Sequence, residues 1–276
     1  MAIILMSISF TFIIGCFSVK YILINDNVST IQGYTMESIL SDDGIKLYAN
    51  INRSDSNKWV ILVHSYRTDH KFMNQYAVEY QKKEYNTVQP DNRAHGQSEG
   101  KYIGMGYLDQ YDILCWVRYI LDIDPDAEIV LHGVSMGGAT LMMLSGQPNL
   151  PGNIKCIIED CGYTSATKYL TWKLKQRFHL PAFPIISIAN VAFKISAGYY
   201  MDDASSIDGV KKSTVPILFI HGSEDTTVLV EEVYKLYEAA SCKKELYIVN
   251  GAGHGEALSQ DESAYWDHVF SFIHNA

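Results

Sequence analysis

The sequence has 276 residues, which is enough for one large domain with a sizeable core or for two small domains. Hydrophobic residues make up 47% and charged residues 19% of it, values that are typical of globular proteins and exclude a disordered or repetitive chain. The net charge of -9 argues against a nucleic-acid binder, because no basic stripe is present to neutralise phosphates. The cysteines have neither C-x-x-C nor metal-ligand spacing, so we expect buried thiols rather than a disulfide framework or a zinc site: Cys16, Cys115, Cys156, Cys161 and Cys242.

The N-terminus carries an apolar segment. Residues 2–19 are uncharged, and after Lys20 the run continues to residue 24, which is long enough to cross a bilayer as a helix. A secretory signal normally has Lys or Arg ahead of its apolar run, and none is present here. We therefore expect residues 1–24 to form a single membrane anchor, with the following domain on the extracytoplasmic side. The alternatives are a cleaved signal-like helix of a secreted protein, a lipoprotein site at Cys16, and a buried helix of a cytoplasmic protein.

From residue 33 onwards the sequence alternates between strands and helices. An opening hairpin is predicted around the turn 41–44 (SDDG), and short apolar runs then alternate with amphipathic segments. This alternation predicts an α/β fold with a doubly wound, mostly parallel sheet over residues 33–276. The predicted strands cover 34–40, 45–52, 59–63, 87–90, 128–132, 154–159, 215–222 and 245–249, and the predicted helices cover 71–83, 106–122, 136–145, 230–240 and 263–274.

One stretch, residues 165–213, interrupts the alternation. It shows no strand pattern and contains helical segments broken at Pro181 and Pro184, with several aromatic residues. We interpret it as a helical insertion. Sites in doubly wound sheets lie beyond the carboxyl ends of the strands, so an insertion at that edge would act as a lid.

The segment 129–139 (IVLHGVSMGGA) is typical of a nucleophile elbow. An apolar strand pattern stops at Gly133-Val-Ser135-Met-Gly137, and a helix pattern that begins with small residues follows. The two glycines remove side chains that would collide with the strand or the helix in so tight a turn. The motif therefore predicts an exposed Ser135 hydroxyl at the carboxyl edge of the sheet.

A serine needs a nearby base, and a carboxylate to orient that base, before it becomes a good nucleophile. Asp225 follows the strand predicted at 215–222, and His254 lies in a glycine-rich loop after the strand predicted at 245–249. The order Ser, Asp, His along the chain is the order of α/β-hydrolases. The neighbouring Glu224 is an alternative partner for the histidine.

Other polar residues near these loops favour structural roles. We expect His64 and His132, at strand ends, to be packing residues, and Arg93 and His95 to hold their own loop by hydrogen bonds. Asp160 could contact a substrate amine, but a role in fixing its loop is the simpler interpretation.

Six segments together resemble serine hydrolases of the α/β-hydrolase superfamily. Within it, the chain is most similar to bacterial membrane-anchored members of the prolyl oligopeptidase-like and serine aminopeptidase-like group. The resemblance extends from about residue 34 to the C-terminus, and the matching segments are 63–66 (VHSY), 91–100 (DNRAHGQSEG), 133–138 (GVSMGG), 159–164 (EDCGYT), 219–225 (FIHGSED) and 253–254 (GH).

The resemblance implies Ser135 as nucleophile, Asp225 as orienting acid and His254 as base. It also implies an oxyanion hole formed by the backbone N–H groups of Tyr66 and Met136. Three positions depart from the usual pattern of the family: Ser65 and Ala94 stand where glycine is common, and Leu229 where proline is common.

The aromatic, weakly charged insertion suggests that an apolar acyl or aromatic group binds beside Ser135. We therefore expect a hydrolase that cleaves a carboxylic ester or thioester of a small to medium substrate through an acyl-enzyme. A small-peptide peptidase of the aminopeptidase type, an acyltransferase, and a non-catalytic binding protein on the same fold are the alternatives. No metal or organic cofactor is implied by these residues, and the partners expected are a small-molecule ester or short peptide and, through residues 1–24, a membrane.

Overall fold

The protein is described by a computed structural model that covers residues 33–276. Within this range eight strands form a single sheet. They are β1 (Tyr34–Leu40), β2 (Lys46–Asn52), β3 (Lys58–Val63), β4 (Asn86–Pro90), β5 (Glu128–Val134), β6 (Ile154–Asp160), β7 (Ile217–Gly222) and β8 (Lys244–Val249).

The order across the sheet is β1-β2-β4-β3-β5-β6-β7-β8. Strand β2 runs antiparallel to its neighbours β1 and β4, and every pairing from β4 to β8 is parallel. The carboxyl ends of β3, β5, β6, β7 and β8 therefore meet at one edge. The predicted α/β fold with a doubly wound, mostly parallel sheet is confirmed.

Nine α-helices accompany the sheet within the described range. They are α1 (Asn74–Gln81), α2 (Asp109–Ile123), α3 (Met136–Ser145), α4 (Ala166–Phe178), α5 (Ile185–Ala197), α6 (Ser206–Val210), α7 (Val230–Ala239), α8 (Ala257–Gln260) and α9 (Glu262–Asn275).

Helices cover both faces of the sheet. Helices α1 and α9 pack on one face, and α2, α3 and α7 pack on the other. In β3, Val60 and Leu62 point into the first layer while Ile61 and Val63 point into the second, and all four side chains are fully buried. Burying one such side chain is worth about 1.5–3 kcal/mol. Because both faces of these strands are buried, their sequences are continuous apolar runs and do not alternate between apolar and polar residues.

The structure shifts some predicted boundaries. The helix predicted at 106–122 begins only at Asp109, because Gly106 adopts a positive φ of 86° and donates its N–H to Asp109 Oδ2 at 2.8 Å. The helix predicted at 71–83 starts with a 3-10 turn (His70–Met73) before α1. Helix α8 was not predicted, since four residues are too few to show a helical period.

The predicted insertion consists of helices α4, α5 and α6 and a 3-10 turn (Met201–Asp203). Its base is closed by an antiparallel bridge between Ser165 and Ser205. Tyr199 ties the insertion to the body of the protein, since its hydroxyl donates to Gly104 O at 2.8 Å. The insertion is thereby held over the carboxyl edge of the sheet.

The membrane anchor predicted at residues 1–24 lies outside the described residues and stays a prediction. Among residues 33–276 no helix combines the length and the apolar character needed to span a bilayer.

Candidate active site

The predicted elbow is present at the junction of β5 and α3. Ser135 has φ 56° and ψ -111°, a backbone conformation that non-glycine residues rarely adopt. A Cβ on Gly133 would lie 2.4 Å from the carbonyl carbon of Gly137, so the strand and the helix touch backbone to backbone. This packing stabilises the strained backbone conformation of Ser135, and so does a hydrogen bond from the Ser135 N–H to Asp160 O at 2.7 Å.

A second close approach places the loop after β3 beside the start of α3. A Cβ on Gly137 would lie 2.1 Å from the Val63 carbonyl oxygen. Met136 is the first residue of α3, so the helix itself has no acceptor for its N–H. Met136 and Tyr66 line the same cavity as Ser135.

The structure brings the three residues of the predicted triad together. The Ser135 hydroxyl lies 2.9 Å from His254 Nε2, and His254 Nδ1 lies 2.6 Å from Asp225 Oδ2. The carboxylate fixes the proton on Nδ1, which leaves Nε2 as the acceptor for the Ser135 hydroxyl. Ser135 is only 8% exposed and Asp225 only 4%, so these contacts are largely shielded from water.

Several hydrogen bonds fix the carboxylate of Asp225 in place. Its Oδ1 accepts the backbone N–H groups of Thr227 at 2.7 Å and Val228 at 2.9 Å. Burial would raise the pKa of Asp225, but the hydrogen bonds from His221 and His254 outweigh it and hold the pKa well below its usual range. Glu224 is exposed to solvent and its side chain is not part of this arrangement. Asp225, and not Glu224, is the partner of His254.

His221 is a residue of the site that the sequence interpretation missed. It is fully buried, donates from Nε2 to Val228 O at 2.9 Å, and places the same nitrogen 3.3 Å from Asp225 Oδ2. Burial lowers the pKa of His221, but the hydrogen bonds to Asp225 and Val228 raise it by more. The sequence feature that could have identified His221 is its position at the end of β7, four residues before Asp225.

Asp160 lies beneath the elbow and not in the cavity. It is fully buried, and its Oδ2 accepts the Tyr265 hydroxyl at 3.0 Å. Tyr265 in turn accepts from His132 Nε2 at 3.0 Å, and the Tyr80 hydroxyl contacts His132 Nδ1 at 3.1 Å. Burial lowers the pKa of His132 to about 3, so the ring is neutral. The structural roles predicted for Asp160 and His132 are confirmed.

His64 and the segment 91–100 support the Tyr66 loop. His64 donates from Nδ1 to Ser65 O at 2.7 Å and accepts the Asn92 N–H at 2.9 Å, as expected for a packing residue. Arg93 forms a two-pronged ion pair with Asp112, with both distances 2.7 Å. The His64 bonds join the segment 91–100 to the loop after β3, and the ion pair anchors that segment to α2.

His95 completes this support, since its Nε2 accepts the Arg67 N–H at 3.0 Å.

The backbone accommodates all three residues that depart from the usual pattern of the family. Ser65 has no positive φ, so glycine is not required there. Ala94 does adopt a positive φ of 59°, which glycine would reach with less strain. Leu229 has φ -61°, the value that proline would impose.

Glu159 is a buried acid behind the elbow. Its Oε2 accepts the Gly162 N–H at 3.0 Å, while its Oε1 has no partner among the described residues. Burial raises the pKa of Glu159 to about 8, against an opposing effect of His221. The carboxyl group is therefore mostly protonated at neutral pH.

We expect Glu159→Gln to stabilise the protein in alkaline solution. Between pH 4.5 and 8 the unfolded state loses the Glu159 proton while the folded state keeps it, so the free energy of unfolding falls as the pH rises through this window. Glu159→Gln lacks this loss. The difference in free energy of unfolding between the variant and the wild type should therefore be more favourable to the variant at pH 8 than at pH 5, by at least about 1 kcal/mol. Urea unfolding at both pH values measures it, with the exposed Glu231→Gln as control. Equal pH dependence of wild type and Glu159→Gln would contradict the buried-acid assignment.

A cavity of ≈ 160 Å³ lies between Ser135 and the insertion. A cavity of about this size holds a benzene-sized molecule. Most of its lining side chains are apolar or aromatic, and two cationic residues of α4 also reach it. The lining residues include Met105, Tyr163, Tyr169, Leu170, Lys173, Leu174, Arg177, Phe178, Ile186 and Phe193.

Within the described range one group of side chains has the spacing of a metal site: Cys161, Asp225 and His254. Burial raises the pKa of the Cys161 thiol well above its usual value, which disfavours the thiolate a metal would need. Asp225 and His254 are already bonded to each other. The arrangement suits the Ser135–His254–Asp225 chain better than a metal ion.

Two curated bacterial proteins are similar in sequence to this chain. The protein YqkD of Bacillus subtilis (strain 168) is 28% identical over 192 residues, which cover 69% of this chain and 63% of that protein. YfhR of Escherichia coli (strain K12) is 28% identical over 196 residues, covering 70% and 61% respectively. The alignments span less than two thirds of the length of these curated relatives.

The esterase Pf2001 of Pyrococcus furiosus has the same fold. It superposes with a TM-score of 0.70 over 88% of this chain and 92% of the esterase chain, at 24% sequence identity. Residues 72–276 match the family described as the prolyl oligopeptidase family. The chain therefore belongs to the prolyl oligopeptidase family and has the α/β-hydrolase fold.

Proposed function

We propose that the protein cleaves a carboxylic ester or thioester of a small to medium substrate through an acyl-enzyme on Ser135. The observation that carries this proposal is the hydrogen-bonded chain Ser135–His254–Asp225, which opens onto an apolar cavity. His254 Nε2 takes the proton of Ser135 as Oγ attacks the carbonyl carbon, and the same proton goes to the leaving group. Water then attacks the acyl-enzyme in a second round with the same base.

The negative charge that develops on the carbonyl oxygen needs donors. The N–H of Met136, at the start of α3, and the N–H of Tyr66, in the loop that Gly137 allows to approach, are the groups proposed for this role. Loss of one such donor typically costs on the order of 10²–10³ in turnover. The supporting contacts of His64 and His95 matter because they set the shape of the Tyr66 loop.

A peptidase is the second candidate, and the family match supports it. An aminopeptidase holds the substrate ammonium with a carboxylate, and no Asp or Glu lines the cavity among the described residues. Lys173 and Arg177 would instead repel a positively charged amine. The electrostatics of the cavity therefore favour the ester over the peptide.

A direct comparison tests this choice. The protein should hydrolyse 4-nitrophenyl esters of graded acyl length with a preference for medium chains, and aminoacyl 4-nitroanilides much more slowly after correction for intrinsic reactivity. The measurement is kcat/KM for each series at pH 7–8. A corrected preference for the anilides would favour the peptidase.

A further inference from the structure

The insertion differs from the rest of the chain in its charge. The whole protein has a net charge of -9, yet residues 165–201 of the insertion contain no Asp or Glu, and its three acids, Asp202, Asp203 and Asp208, all follow this stretch. The same stretch contains five basic residues: Lys168, Lys173, Lys175, Arg177 and Lys194. An acidic protein thus places a cationic segment over Ser135. Such a field attracts anions to the site.

Two of these cations line the cavity that contains Ser135. Lys173 and Arg177 are four residues apart on α4, so they lie on the same face of the helix. Neither forms an ion pair with a carboxylate among residues 33–276. Two like charges at this spacing slightly destabilise a helix. Helix stability therefore does not account for the pair.

Lys173 is also partly withdrawn from water. Its ammonium lies 5.5 Å from the centre of the Tyr169 ring and 5.7 Å from that of Trp172. Burial lowers the pKa of Lys173 and the nearby Arg177 lowers it further, while the charge of Asp225 opposes both effects in part. A partly desolvated ammonium beside a second cation gains free energy from an anionic partner.

Apart from Ser135, the remaining lining of the cavity is apolar or aromatic and contains no acid among the described residues. An apolar space with two cations suits a molecule that is itself apolar with one anionic group. We propose that Lys173 and Arg177 form a binding site for an anionic group of the substrate, so that the ester or thioester cleaved at Ser135 is an amphipathic anion. This inference rests on the proposed function and adds its substrate class.

The anionic group can belong to the acyl part or to the leaving group, and two pairs of substrates separate these cases. For the acyl part, 4-nitrophenyl hydrogen adipate is compared with 4-nitrophenyl hexanoate. For the leaving group, the hexanoate ester of 4-hydroxybenzoate is compared with phenyl hexanoate. In one of the two pairs the anionic ester should have the higher kcat/KM, by about 5- to 20-fold after correction for intrinsic reactivity, and added salt should reduce this preference.

The variant Lys173→Gln/Arg177→Gln should lose that preference, measured as the ratio of kcat/KM for the anionic ester to kcat/KM for the neutral ester of the same pair. The control Lys168→Gln/Lys175→Gln removes the same charge from exposed positions of α4 that do not line this cavity, and should keep the preference. A wild type without preference in either pair, or equal loss in both double variants, would overturn the proposal.

Binding measured without turnover separates this proposal from the proposed function. In Ser135→Ala, hexanoate should bind more tightly than hexanol by about fivefold or more, and Lys173→Gln/Arg177→Gln should abolish the difference. If no ester is hydrolysed but this difference is found, the anion site stands and the hydrolase proposal falls. If esters are hydrolysed but hexanoate and hexanol bind equally well, the anion site is wrong and the hydrolase proposal stands. The same conclusion follows if hexanoate still binds more tightly than hexanol in the double variant.

Discussion

Replacing Ser135 with alanine should lower kcat on the best 4-nitrophenyl ester by about 10⁵–10⁶-fold, the loss seen when a triad serine is removed. The physical reason is the loss of the atom placed to form the acyl-enzyme, since Ser135 Oγ lies 2.9 Å from the base and faces the cavity. The fold should persist, because the strained turn depends on the glycine contacts and on the Ser135 N–H rather than on the hydroxyl. Steady-state kinetics with far-UV circular dichroism measures both.

Covalent labelling with a fluorophosphonate provides the control. Wild type and Ser38→Ala, which alters an exposed serine of β1, should label equally, and Ser135→Ala should not label. A folded wild type that stays unlabelled, or equal labelling of Ser135→Ala, would favour a non-catalytic binding protein on this fold.

The elbow could be predicted from the sequence because its determinants are local. Gly133, Ser135 and Gly137 lie within five residues, and the strand and helix on either side have clear periods. The structure adds why each glycine is needed, which depends on a distant contact: Gly137 must clear the carbonyl of Val63. The sheet was predictable for a similar reason, since strands buried on both faces give continuous apolar runs.

Features that depend on tertiary contacts could not be predicted. Glu224 and Asp225 are adjacent acids after the same strand, and only the folded turn buries one and exposes the other. His221 gains its role from a side-chain contact with Asp225 at 3.3 Å. Lys173 and Arg177 resemble ordinary solvent-facing residues of a helix until the insertion is placed over Ser135.

Replacing Asp225 with asparagine should lower kcat/KM by about 10³–10⁴-fold. The Thr227 and Val228 N–H groups bind Oδ1, so the amide oxygen of asparagine takes that position and its NH₂ group faces His254. An NH₂ group donates to His254 Nδ1, which moves the ring proton to Nε2 and leaves Ser135 without a base. In the wild type the pKa of Asp225 is held well below its usual range, so the carboxylate is ionised throughout any assay between pH 5 and 9.

Glu224→Gln is the matched control, because it makes the same chemical change one residue away on an exposed side chain. It should change kcat/KM by less than about twofold, since exposed charges at this distance contribute little. Thermal unfolding of both variants separates misfolding from loss of chemistry, and fluorophosphonate labelling of Asp225→Asn should slow in parallel with kcat/KM. If Glu224→Gln lost more activity than Asp225→Asn, Glu224 would be the partner of His254 during turnover, and the turn after β7 would have to rearrange when substrate binds.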